Sequence, residues 1–232
     1  MMKQAESYLG NIPLLTCGED SDRAFLFVHG QCGNKEEAVR FAKIAGKYGY
    51  QTVSLDLPEH NNRTDGARLV PWEVLPELDA VNRYMRGRYS SVSLRANSIG
   101  AYFSLTAFTG ERFEKCLLVS PLLDMVDMIS GMMRSAGVCE TELMQKGEIP
   151  TGTGQVLSWR YLMWAREHPV KAICMTDILY GAHDELIGRQ VIDSFVENNP
   201  CRLQIIDSGH WVHTPEEVRK MEEWENKSVA NK

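Results

Sequence analysis

The chain has 232 residues, 44% of them hydrophobic and 24% charged, with a formal net charge of -6. That is the balance of an ordinary soluble globular protein: one domain with a sizeable core, or one domain with a modest insertion. The negative charge and the lack of any Lys/Arg run exclude a nucleic acid or an anionic membrane surface as partner, since either needs a dense basic face.

The opening stretch "MMKQAESYLGNIPLL" lacks the charged, apolar and small-residue order of a secretory signal, and no stretch of about eighteen apolar residues is present to span a bilayer. Cys17, Cys32, Cys116, Cys139, Cys174 and Cys201 are scattered without a C-x-x-C pair, which implies a reduced, cytoplasmic protein with no zinc or redox pair.

The first clear element is "RAFLFVHG" (23–30), a near-continuous apolar run suited to a strand buried on both faces. Asn34 and Glu37 resemble a capping box, after which Ala38, Phe41, Ala42, Ala45 and Tyr48 repeat at helical spacing. "YQTVSLDLP" (50–58) reads as the next strand, and after a loop at 59–70 a helix starts at Pro76 with Leu78, Val81 and Met85 inward. "SVSLRA" (91–96) is a strand, 99–109 a buried helix, and "KCLLVS" (115–120) a strand stopped by Pro121. "DILYG" (177–181) and "RLQIID" (202–207) are two further strands, separated by a helix around 188–198. Thr214 and Glu217 form a second capping-box pattern, with Pro215 at the first position of the closing helix.

Strands alternating with helices of this length imply an α/β protein with a mostly parallel central sheet covered on both faces. Residues 122–169 break the rhythm and carry Met125, Met128, Met132, Met133, Met144, Met163, Trp159 and Trp164. They divide the chain into a core (1–121 and 170–232) and a small helical cap or lid over an apolar site (122–169). The plainer alternative is that these side chains fasten an extra helix pair to the body.

In a parallel α/β sheet, reactive groups gather at the carboxyl ends of the strands. His29-Gly30-Gln31, Ser98, Asp184 and His210 all fall just past predicted strand ends. Ser98 sits in Ala96-Asn97-Ser98-Ile99-Gly100, with small residues two positions away on either side. That spacing suits either a plain helix cap or a nucleophile held up on a sharp bend.

The pieces "FVHGQCGN", "LDLPEH", "ANSIG", "LYGAHD" and "DSGHWVHTPEE" occur in the order and spacing of the α/β-hydrolase superfamily, and the chain resembles it from about Arg23 onward. By that resemblance Ser98 is the nucleophile, His210 the base and Asp184 the acid that orients it. His213 competes with His210, and Asp177 and Asp207 compete with Asp184. The departure is Ala96, where the family has glycine.

The resemblance also makes the backbone N–H groups of Gln31 and Ile99 the oxyanion hole. His29 fixes the loop and borders the substrate site, with Met128, Met132 and Trp159 as substrate contacts. Cys32 reads as a packed small residue.

No H-E-x-x-H or cysteine pair points to a metal, and "GTG" at 152–154 lacks the strand and the Lys-Ser/Thr of a phosphate loop. The expectation is therefore a cofactor-free, metal-free serine esterase acting on a small acyl or aromatic ester, as a monomer or homodimer. A peptidase or amidase with the same triad, and a non-catalytic binding protein on the same fold, are the competing readings.

Overall fold

The computed structural model describes residues 2–152 and 154–231. In chain order it begins with β1 (Gln4–Leu9), β2 (Ile12–Cys17) and β3 (Arg23–Val28), then α1 (Ala38–Ala45), β4 (Gln51–Leu55), α2 (Pro71–Arg86), β5 (Ser91–Asn97), α3 (Ser98–Ala107) and β6 (Cys116–Val119). Next come α4 (Met125–Ala136), α5 (Glu140–Lys146), β7 (Glu148–Pro150), β8 (Val156–Ser158) and α6 (Trp159–Glu167). The chain closes with β9 (Thr176–Gly181), α7 (Arg189–Asn198), β10 (Cys201–Ile206) and α8 (Pro215–Ala230).

Eight strands form one sheet in the order β1-β2-β4-β3-β5-β6-β9-β10. From β4 to β10 every pairing is parallel, while β1 and β2 form an antiparallel hairpin joined antiparallel to β4. The expected mostly parallel sheet is present. The hairpin is an addition: β1 is almost wholly exposed and shows no apolar run, while β2 is largely buried.

Why two layers of helices cover the sheet follows from the period-two alternation of each strand. Ala24, Leu26 and Val28 of β3 and Val92, Leu94 and Ala96 of β5 face one cluster, completed by Val74 and Leu78 of α2 and Ala101 and Leu105 of α3. Phe25 and Phe27 of β3 and Leu117 and Val119 of β6 face the other, against Phe41 of α1 and Met221 and Trp224 of α8. The near-continuous apolar runs are thus two alternating sets read together.

Two local expectations need correction. Helix α2 starts at Pro71, not Pro76, with Val70 extended before it. Pro76 lies inside the helix near its start, where its missing N–H removes a single backbone bond, and burial of Val74, Leu78, Val81 and Met85 along one face outweighs that loss. At the other site, the Asn34 side chain accepts from the N–H of Glu36 rather than that of Glu37. The second capping box forms as expected: Thr214 Oγ1 accepts from the N–H of Glu217, whose carboxylate accepts from the N–H of Thr214.

Residues 122–169 hold α4, α5, α6 and the small antiparallel pair β7–β8, which the apolar pattern did not signal. Met125, Ile129, Met133, Leu143, Leu157 and Leu162 are buried in the larger core cluster with α3. Among the described residues, no helix is long and apolar enough to cross a membrane.

Candidate active site

Strand β5 runs straight into α3, and the junction is Ser98. Asn97 is extended at φ -110° and ψ 140°, whereas Ser98 has φ +44°. A non-glycine residue in that region carries strain of about 1–3 kcal/mol and persists only where its surroundings fix it.

The surroundings here are steric. A Cβ on Gly100 would lie 2.2 Å from the carbonyl oxygen of His29 and 2.9 Å from that of Val28, so the start of α3 is pressed onto the end of β3. Ala96, by contrast, is fully buried in the core cluster, so a methyl group is accommodated on the other side of the bend. Gly100→Ala should therefore cost about 1–3 kcal/mol or more through overpacking against backbone that cannot rotate away. An unchanged urea midpoint for that variant would contradict this packing.

Ser98 Oγ is 2.9 Å from His210 Nε2, and His210 Nδ1 is 2.8 Å from Asp184 Oδ2. A carboxylate only accepts, so Nδ1 carries the ring proton and Nε2 is left to accept from the serine hydroxyl. The Asp184 carboxylate is fully buried, and its Oδ1 accepts from the N–H groups of Leu186 at 2.9 Å and Ile187 at 2.8 Å.

The loops meet closely because position 181 is glycine: a Cβ there would be 2.3 Å from the carbonyl oxygen of Gly209 and 2.5 Å from that of Ser208. The Tyr180 hydroxyl donates to the carbonyl of Ile187 and ties down the far side of the acid loop. Glu185 Oε2 accepts from the N–H of His210 at 3.3 Å.

The competing residues are engaged elsewhere. His213 is half-exposed, stacked on exposed Trp211 with ring centroids 4.4 Å apart, and its Nδ1 bonds the Trp211 carbonyl. Asp177 is held by Arg202 through two hydrogen bonds, and exposed Asp207 pairs with His183. The structure brings Ser98, His210 and Asp184 together and leaves these three out.

The loop after β3 is a turn closed from the N–H of Gly33 to the carbonyl of Gly30, with Cys32 at φ +61° and Gln31 exposed at its second position. Two histidines brace it against the segment after β4. His29 Nδ1 donates to the Gly30 carbonyl at 2.7 Å, and its Nε2 accepts from the N–H of Leu57 at 3.0 Å. His60 Nδ1 donates to the Pro58 carbonyl, and its Nε2 accepts from the N–H of Cys32 at 3.0 Å. The two rings meet at 4.8 Å.

His29 is therefore not a substrate contact: it is fully buried with both ring nitrogens bonded to backbone. Burial, opposed by the bond to Gly30, lowers its pKa to about 4. Below pH 6.5 the unfolded chain binds a proton there that the folded chain refuses until about pH 4. Stability should fall by about 3 kcal/mol across that window, from the pH 6.5 side downward. In a pH series of denaturation midpoints, His29→Gln should flatten that part of the curve; an equally steep curve would contradict the assignment.

A cleft of about 590 Å³ opens beside the acid loop, lined by Asp127, Met128 and Met132 of α4, by Gln155, and by Glu185 and Leu186. Met128 and Met132 line this cleft and Trp159 does not, although all three pack partly buried against the larger core cluster.

Sequence reasoning missed His60 and the buried pair Arg95–Glu225. A signal for Arg95 was present: Ser91, Ser93 and Arg95 occupy one face of a strand expected to be buried on both.

No protein-family model matches the sequence, nor does any curated protein. Solved structures do. Est1E from Butyrivibrio proteoclasticus is 17% identical, with a TM-score of 0.72 over 98% of this chain and 99% of that one. Mouse alpha/beta hydrolase domain-containing protein 10 is 14% identical, with a TM-score of 0.73 over 95% of each chain. An esterase from Pyrococcus furiosus is 18% identical, with a TM-score of 0.65 over 99% of this chain and 89% of that one.

Proposed function

The chain has the fold of the α/β hydrolases, and on that premise we propose that it is a serine hydrolase cleaving small acyl or aromatic carboxylic esters. The observation that carries the reading is the hydrogen-bonded chain Ser98–His210–Asp184, set on a strained turn between a strand and a helix. The esterases among its structural neighbours support the ester class.

In this reading Ser98 Oγ attacks the ester carbonyl carbon while His210 Nε2 takes its proton. Asp184 holds the imidazole in the required tautomer and stabilises the imidazolium that forms. The N–H groups of Ile99 and Gln31 receive the oxyanion, in a region of fixed backbone where such donors are most effective. His210 returns the proton to the departing alcohol as the C–O bond breaks. It then takes a proton from the water that attacks the acyl-serine and passes it to Ser98 Oγ as the acyl–oxygen bond breaks and the acid leaves. Residues 122–169 act as the cap, with Met128 and Met132 offering an adaptable apolar wall to the acyl group.

A fluorophosphonate probe tests the reading directly. It should label the wild-type protein, and the label should vanish in Ser98→Ala. Folded wild-type protein that takes no label favours a binding protein instead. A chain-length series of p-nitrophenyl esters, run beside aminoacyl amides, separates esterase from amidase.

A further inference from the structure

We infer that Asn97 is a positioning residue that latches the turn bearing Ser98 to the loop bearing Gln31 through Glu37; this rests on the hydrolase reading above. The two oxyanion donors of that reading come from segments distant in sequence, and their aim matters to within about half an ångström. Something must tie the segments together. Steric contact supplies part: a Cβ on Gly30 would lie 3.2 Å from Ser98 Cβ.

The polar part runs through Asn97. Its Oδ1 accepts from Arg95 Nη1 at 2.5 Å, and its Nδ2 donates to Glu37 Oε2 at 3.3 Å. The other carboxylate oxygen of Glu37 lies 2.6 Å from where a Cβ on Gly33 would stand, so that carboxylate rests on the Gly30–Gly33 turn. At the opposite end the anchor is rigid. Arg95 is buried, its Nε and Nη2 are 2.9 and 2.8 Å from Glu225 Oε1, and its guanidinium lies over the rings of Phe27 and Phe41.

The order of groups explains the residue type. Arginine only donates and a carboxylate only accepts, so the side chain between them must accept on one side and donate on the other. An asparagine amide does both within a single short plane. Aspartate at 97 would set two carboxylates facing each other.

Steady-state kinetics on p-nitrophenyl acetate test the latch. Asn97→Ala and Glu37→Ala should each lower kcat roughly tenfold while KM stays within about twofold, as a small misplacement of reacting groups does. The double variant should fall no further than either single one, since both break the same link. Glu37→Gln, which keeps an acceptor for Asn97 and sits on the more accessible side of the link, should lose no more than about threefold, whereas Asn97→Asp should fall below Asn97→Ala.

Single losses that multiply in the double variant, or an Asn97→Ala kcat within about twofold of wild type, overturn the latch. Fluorophosphonate labelling of the wild type separates the two failures. Unlabelled wild type sinks the hydrolase reading, while labelled wild type with undiminished Asn97→Ala turnover sinks only the latch.

Discussion

Ser98→Ala is expected to lower turnover of a p-nitrophenyl ester by roughly 10³-fold or more, and His210→Ala by a similar factor. At about 1.4 kcal/mol per decade, that is on the order of 4 kcal/mol of barrier. Each variant removes the whole route rather than a share of it. On the proposed mechanism Ser98 is the acyl acceptor, and without His210 the hydroxyl 2.9 Å away keeps its proton. The two losses should accordingly not multiply when combined. His213→Ala is the control, because that ring stacks on Trp211 and bonds its carbonyl rather than the serine. A loss below tenfold in His210→Ala alongside a large loss in His213→Ala would exchange their roles.

Glu225→Ala should destabilise the fold by about 3–5 kcal/mol, the usual consequence of stranding one partner of a buried ion pair. Arg95 and Glu225 are both almost fully enclosed. Burial pushes the Arg95 pKa down and the Glu225 pKa up, each opposed by the other's charge. Among the described residues Glu225 Oε2 has no hydrogen-bond partner, so the pair is held on one oxygen. Deleting the carboxylate leaves a buried guanidinium between β5 and α8 held by the Ala96 carbonyl, Asn97, the Met221 sulfur and aromatic faces, with Glu37 as the nearby opposite charge.

An Arg95→Met/Glu225→Leu double variant should recover much of the loss, because well-packed apolar residues replace such pairs at little or no cost. Guanidinium denaturation reads both. A Glu225→Ala loss under about 1 kcal/mol would mean that water reaches the guanidinium despite its enclosure.

Most of the core strands were legible in the sequence because a strand flanked by helices on both faces must be apolar at successive positions. The glycines at 100 and 181 were legible as parts of motifs, and the structure supplies their reason: in each case a neighbouring carbonyl stands where a side chain would begin. In the first hairpin β1 was not legible, since an edge strand open to solvent carries no burial pattern, whereas β2 is largely buried and its Ile12, Leu14 and Leu15 were a signal passed over.

Asn97, His60 and Glu225 were hidden for a different reason. Their roles depend on partners brought close only by the sheet, and no local spacing encodes a contact between β5 and α8. His29 is a mixed case: its expected hydrogen bonds to the loop are present, but its side chain is fully buried and does not border open space.

Arg95 and Glu225 stand 130 residues apart, so their ion pair ties β5 to α8 across a span of chain that contains Ser98, Asp184 and His210. The entropy of closing so long a loop must be met before the contact rewards it, which places the pair late in folding. Its loss should consequently speed unfolding more than it slows folding.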